Sequence, residues 1–223
     1  MPDTGVPELA FTAQAIAPLA HAATPALGLT LDIRRTAGPA VQALALHVEV
    51  RIALARRAHD DNTRRRLAEL FGAPAQWHAA PRALTWLNAS VGVPAFEPAT
   101  TVVVPLPCTY DFDVTATKYF HALPAGEIPL DLLFTGSVFY TTDDGRLRTA
   151  RLPWDREASF DMPVRTWREL MDRYFADRVW MRLPRETFDR LWAYRTRHAL
   201  PTWEHVLDAL LHEHEAEATP WMR

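Results

Sequence analysis

The chain has 223 residues, a formal net charge of −3 and a 48% hydrophobic content, which is enough apolar material for a substantial core. The slightly acidic balance, with no dominant basic stripe, argues against a general nucleic-acid surface. A single cysteine, Cys108, excludes an intramolecular disulfide and fits a reducing compartment.

The N-terminal residues lack the basic segment of a secretory leader. The closest approach to a membrane span, around residues 130–138, is interrupted by Asp131 and Gly136. The expected location is therefore the cytoplasm, without a membrane span. Of the basic residues only Lys118 is a lysine, beside 23 arginines, a bias that a GC-rich genome produces through its arginine codons.

In chain order, residues 9–16 and 27–33 read as two strands separated by an Ala/Pro-rich bend. In the second, Leu27, Leu29, Leu31 and Ile33 alternate with Gly28, Thr30 and Asp32. From Leu44 to Leu54 every even position is apolar, while His47, Glu49 and Arg51 occupy the other face. A helix cannot keep that parity for so long, so this is a strand. Residues 56–72 change character: a cap around 60–63 is followed by Leu67, Leu70 and Phe71 at helical spacing and closed by Gly72, which predicts a short inserted helix. Residues 84–93 and 101–106 read as further strands.

The stretch 105–141 predicts two long strands around a Pro/Gly break. From Thr109 onward Tyr110, Phe112, Val114 and Ala116 share one face, and Thr109, Asp111, Asp113, Thr115 and Thr117 share the other. Asp143-Asp144-Gly145 is a hairpin turn into a strand at 146–152. Past Pro163 the period becomes helical in three segments, 164–175, 184–198 and 201–213. Their stripes carry Trp167, Leu170, Met171 and Tyr174, then Phe188, Leu191, Trp192 and Arg195, then Trp203, Val206, Leu207, Leu210 and Leu211.

Candidate chemistry is sparse. Lys118 falls on the apolar parity of its predicted strand. Buried there it would have a depressed pKa and could act as nucleophile or base; if the strand ends near Thr117, its side chain instead reaches solvent. Cys108 could be a nucleophile or a soft-metal ligand, but no histidine is local to it, and a proline-flanked cysteine is commonly a small packing residue. Asp111 and Asp113 would stand about 7 Å apart on one face of a regular strand, suited to acid/base work, to a cation or simply to solvent. Residues 154–157 (Trp-Asp-Arg-Glu) suggest an ion pair in the corner between sheet and helices. His205, Asp208 and His212 fall at i, i+3 and i+7, with His212-Glu213-His214-Glu215 following. Imidazoles and carboxylates so placed can hold nickel or zinc, and they also make an ordinary solvated helix end. No phosphate loop, GxSxG elbow or CxxC pair is present.

The segments PCTYDFDVTATKYFHAL, GEIPLDLLFTGSVFY, PWDREASF, WRELMDRYF and LPTWEHVLDALL resemble a functionally uncharacterised family of bacterial, largely actinobacterial, proteins of similar length. Genes of that family often lie beside those of actinobacterial-type, oxygen-tolerant NiFe hydrogenases. The resemblance implies an accessory role, as a maturation or assembly factor or an extra subunit, with hydrogenase subunits or maturation factors as partners. It carries over no catalytic residue.

The expectation is thus an α+β protein. Residues 1–163 form an antiparallel, immunoglobulin-like β-sandwich with a helical insertion near 60–72, and residues 164–223 form a helical region of about three helices packed on it. The expected function is non-catalytic protein binding, with homo-oligomerisation open and no cofactor, metal or catalytic residue assigned. The alternatives are an enzyme centred on Lys118, Cys108, Asp111 and Asp113, or a nickel or zinc carrier using His205, His212 and His214.

Overall fold

Most of the alternating segments become strands in the computed structural model, which describes residues 5–73, 77, 81–109, 111, 114–175 and 181–218. In chain order these are β1 (Glu8–Pro18), β2 (Ala26–Ala37), β3 (Val41–Ile52), β4 (Leu84–Phe96), β5 (Ala99–Pro107), β6 (Glu127–Thr141), β7 (Leu147–Arg151) and β8 (Glu157–Pro163). The helices are α1 (Asp61–Arg66), α2 (Ala68–Phe71), α3 (Thr115–Ala122), α4 (Val164–Phe175), α5 (Arg185–Arg197) and α6 (Trp203–Ala218). The chain is therefore a mixed α+β protein with antiparallel sheets and several C-terminal helices.

β1, β2 and β5 form one antiparallel sheet in the order β1-β2-β5. The other runs β4-β3-β6-β7, with β8 also paired to β6. β6 is long enough to serve two partners along a single edge: residues 127–133 pair with β8 and residues 137–141 with β7. Between them lies Gly136, at φ 155°, where an added Cβ would stand 2.1 Å from the carbonyl oxygen of Ala45 on β3. Only glycine permits that approach of two backbones.

The alternation predicted for β2 and β3 is the alternation that packs. Leu27, Leu29, Leu31 and Ile33 of β2 and Leu44, Leu46, Val48, Val50 and Ile52 of β3 are buried, as are Ile128, Leu130, Leu132 and Phe134 of β6. They belong to one apolar cluster, in which Phe11 of β1 stacks on Phe134 of β6 with ring centroids 4.4 Å apart. Burial of this kind contributes about 25 cal/mol per Å² of apolar surface.

The insertion forms as two short helices. The Asp60 carboxylate caps α1 by accepting a hydrogen bond from the Thr63 amide at 2.6 Å. Leu67, between α1 and α2, is fully buried. The helical stripe of α4 buries Val164, Trp167, Leu170 and Met171. The Tyr174 hydroxyl of the same helix donates to the carbonyl of Ala22 at 2.6 Å.

One expectation is corrected. The strand predicted from Thr109 gives way to helix α3 at Thr115, and Tyr110, Phe112 and Asp113 lie outside the described residues. The alternation up to Ala116 overlaps a second pattern, Ala116, Tyr119, Phe120 and Leu123, at helical spacing, and all four of these are buried. Phe120 fits between Trp86 and Trp167, with centroids 4.9 and 5.6 Å away. Thr117, assigned by parity to the polar face, is buried and donates to the Thr109 carbonyl at 3.1 Å. Residues 157–163 form a further strand, whose half-buried or buried Ala158, Phe160 and Met162 alternate with exposed Glu157, Ser159 and Asp161.

The chain divides into two compact units, residues 1–180 and 181–223. The first contains both sheets and α1 to α4. The second is an antiparallel-type helical hairpin of α5 and α6. Arg195 organises its turn, donating to the carbonyls of Leu200 at 3.1 Å and Pro201 at 2.6 Å, while Ala199 adopts a positive φ of 51°. Among the described residues no helix is long and apolar enough to cross a membrane.

Candidate functional site

Lys118 does not lie in the core. On α3 its ammonium reaches the Glu69 carboxylate of α2, and Glu69 is largely exposed. A pair so open to solvent is worth little to stability. Cys108, just past the end of β5, donates its thiol to the Leu106 carbonyl at 3.4 Å. Burial pushes the thiol up to about 12, against a smaller opposing hydrogen bond from the backbone of Leu27. A thiol held protonated at neutral pH is a poor nucleophile. Asp111 forms an isolated bridge in the loop before α3, where its amide donates to the Thr109 hydroxyl at 3.0 Å. Its proposed companion Asp113 is outside the described residues. The structure does not bring Cys108, Asp111 and Lys118 together in any of the clefts described below.

The α6 histidines are used locally. His205 shares a 2.7 Å hydrogen bond with the Thr202 hydroxyl at the start of the helix, and His212 donates to the Asp208 carbonyl at 2.7 Å. Among the described residues no group of three His, Cys, Asp or Glu side chains is arranged to hold a metal ion. In the corner between β7 and β8, Asp155 and Arg156 form the expected ion pair at 3.8 Å, but Trp154 beside them is 91% exposed.

The apolar stripes of the second unit are where sequence pattern and burial part company. No residue of α5 is buried, and in α6 Val206 is the buried hydrophobic residue among the described side chains. Phe188 and Trp192 of α5 are exposed at 41% and 53%, and Leu207 and Leu211 of α6 at 40% and 60%. Phe188, Trp192 and Trp203 form a three-ring cluster with centroids 5.3 to 6.1 Å apart. The Arg195 guanidinium lies 5.0 Å from the Trp203 ring centroid and 5.8 Å from that of Trp192. Fixed by its turn hydrogen bonds, Arg195 holds the rings in place as a cation over their faces. A cleft of about 430 Å³ along the same hairpin is lined by Arg190, Leu191, Tyr194, Arg197 and Leu210, among others. Rigid aromatic side chains with nearby arginines are the composition of protein-binding hot spots. The helical stripe was legible in the sequence; the fact that it lacks cover was not, because periodicity reports which residues share a face and not what lies against it.

No curated protein and no solved structure matches the chain. A family model does, over residues 6–219, nearly the full length of the sequence. The chain belongs to the family of unknown function DUF6084.

Proposed function

We propose that this protein is a non-catalytic accessory factor of the bacterial cytoplasm that binds another protein through the aromatic face of the α5–α6 hairpin. The single observation that carries this reading is the set Phe188, Trp192, Leu207 and Leu211, four large apolar side chains exposed on two successive helices. Contiguous apolar surface on a soluble protein commonly marks a partner site, and an amphipathic helical face is suited to helix-in-groove packing. The sheet unit serves as the platform, for which an immunoglobulin-like sandwich is the arrangement we favour; its support is the common core of the two antiparallel sheets. For the partner we name a NiFe hydrogenase subunit or a maturation protein of that enzyme, supported by the sequence resemblance described above.

Affinity purification of the tagged chain from its native host, followed by mass spectrometry, tests this directly. Hydrogenase-related partners recovered with the wild type and lost with the double variant Phe188→Ala/Trp192→Ala are the expected result. If cells that express the enzyme yield no hydrogenase-related partner, the assignment is wrong. If the partner is retained by the double variant, the hairpin is not the surface.

A further inference from the structure

A second cleft, of about 350 Å³, opens in the first unit where the chain leaves β3, forms α1 and α2 and returns to β4. Its apolar walls include Leu54, His59, Phe71 and Trp77. Among the described residues three arginines also line it, Arg57, Arg64 and Arg82, and none of the lining residues carries a carboxylate. The volume falls at the lower end of the 300–1,000 Å³ common for small-molecule sites.

The rings are arranged around Trp77. Phe71 and His59 meet it edge-on, each with centroids 5.3 Å away, and the Arg64 guanidinium lies 5.8 Å from its centroid. The indole N–H donates to the Gly72 carbonyl at 3.3 Å, which fixes the ring plane. His59 is in turn held from behind by a 2.9 Å hydrogen bond with the hydroxyl of Tyr119. Burial is the main reason that His59 titrates below its ordinary range, and the positive charges of Arg57 and Arg64 add to it, against smaller opposing effects of a hydrogen bond with the Arg57 backbone and of the Asp60 charge. An imidazole that stays neutral leaves the arginines as the charge of the cleft.

Those charges are poorly matched inside the chain. Arg57 donates to the carbonyls of Ala125 and Glu127, which are neutral acceptors. Arg64 meets Asp61 at 3.8 Å, and the Asp61 side chain is largely exposed. Arg82 is exposed and has no carboxylate partner among the described residues. The nearby acids are otherwise engaged: Asp60 caps α1, and Glu69 holds Lys118. Guanidinium groups grouped against apolar walls are stabilised by an anion that pairs with their fork of N–H donors.

We propose that this cleft binds a small organic anion, whose flat ring lies against Trp77 and Phe71 and whose carboxylate or phosphate head pairs with Arg82, Arg64 and Arg57. This inference does not rest on the hairpin reading, and the two can fail separately.

Calorimetric titration of the full chain tests it with four probes: AMP (ring and phosphate), benzoate (ring and carboxylate), adenosine (ring alone) and inorganic phosphate (head alone). The expected result is that AMP or benzoate binds at least about tenfold more tightly than the ring or the head alone, as a charge-assisted contact added to ring packing requires. Which of the two binds distinguishes a nucleotide from an aryl carboxylate. Added salt weakens the binding, and Arg82→Ala and Trp77→Leu each weaken it about tenfold or more. Arg82 is exposed, so its variant decides the matter if Trp77→Leu fails to fold. The proposal is overturned if no probe binds at millimolar concentration, if phosphate alone binds as well as AMP, or if Arg82→Ala leaves the affinity unchanged.

Discussion

Gly136 shows how far one residue constrains the larger sheet. It stands opposite Leu46 on β3, at the point where β6 passes from β8 to β7 as its partner. The Gly136 carbonyl accepts from the Leu152 amide at 3.0 Å, and the Phe134 amide donates to the Arg156 carbonyl at 2.8 Å, so the ladder continues across the handover. A Cβ there would collide with backbone, which cannot move without displacing β3. Gly136→Ala is expected to destabilise the fold by roughly 2 kcal/mol or more, as strained backbone and overpacking together imply. Gly92→Ala on β4 is the control, since open space surrounds its Cβ position. Chemical denaturation of the two variants checks the prediction, and equal stability would mean that the sheet accommodates the added methyl group. The lone lysine and the lone cysteine, conspicuous by composition, are less informative: one forms a peripheral ion pair and the other is a protonated packing thiol.

At the scale of elements, legibility followed how many registers a pattern permits. β3 was legible because its nine positions 44–52 keep one parity and no helical spacing competes. α3 was not, because Ala116 satisfies both periods and the deciding contacts of Phe120 with Trp86 and Trp167 come from residues 34 and 47 positions away. Tertiary packing decided between two patterns that local sequence left equal. The arginine-lined cleft was hidden for a related reason: the segment 56–72 reads as a helix insertion, and nothing in its spacing tells that Arg82 and Trp77 close over it.

The same elements set a pH dependence. His59 and His121 both titrate below the ordinary 6.5, each mainly through burial and then through neighbouring arginines. Below about 6.5 the unfolded chain takes up protons that the folded chain refuses, so the stability present above that value declines as the pH falls through it. Thermal unfolding between pH 8 and pH 5 should show this decline, with a shallower slope in His59→Asn. A slope unchanged by the substitution would place the acid sensitivity elsewhere.

For the whole molecule, the division at residue 180 separates a unit with a large core from one with little. A chain of residues 1–180 is expected to keep the β-type circular dichroism and cooperative unfolding of the parent while losing the partner recovered through the hairpin. If truncation abolishes cooperative unfolding, the hairpin is part of the folding unit and its aromatic face has a structural role.

β3 is hydrogen-bonded on one side to β4 and on the other to β6, and its Leu46 pairs with residues 91 and 136. During synthesis β4 therefore reaches β3 about forty residues before β6 does. In that interval the five-stranded sheet presents an unpaired, strongly apolar edge along its future centre, the type of edge that recruits other chains. Pairing across such sequence distances is slow, so the yield of folded protein should depend more on expression temperature and chaperone supply than its final stability would suggest.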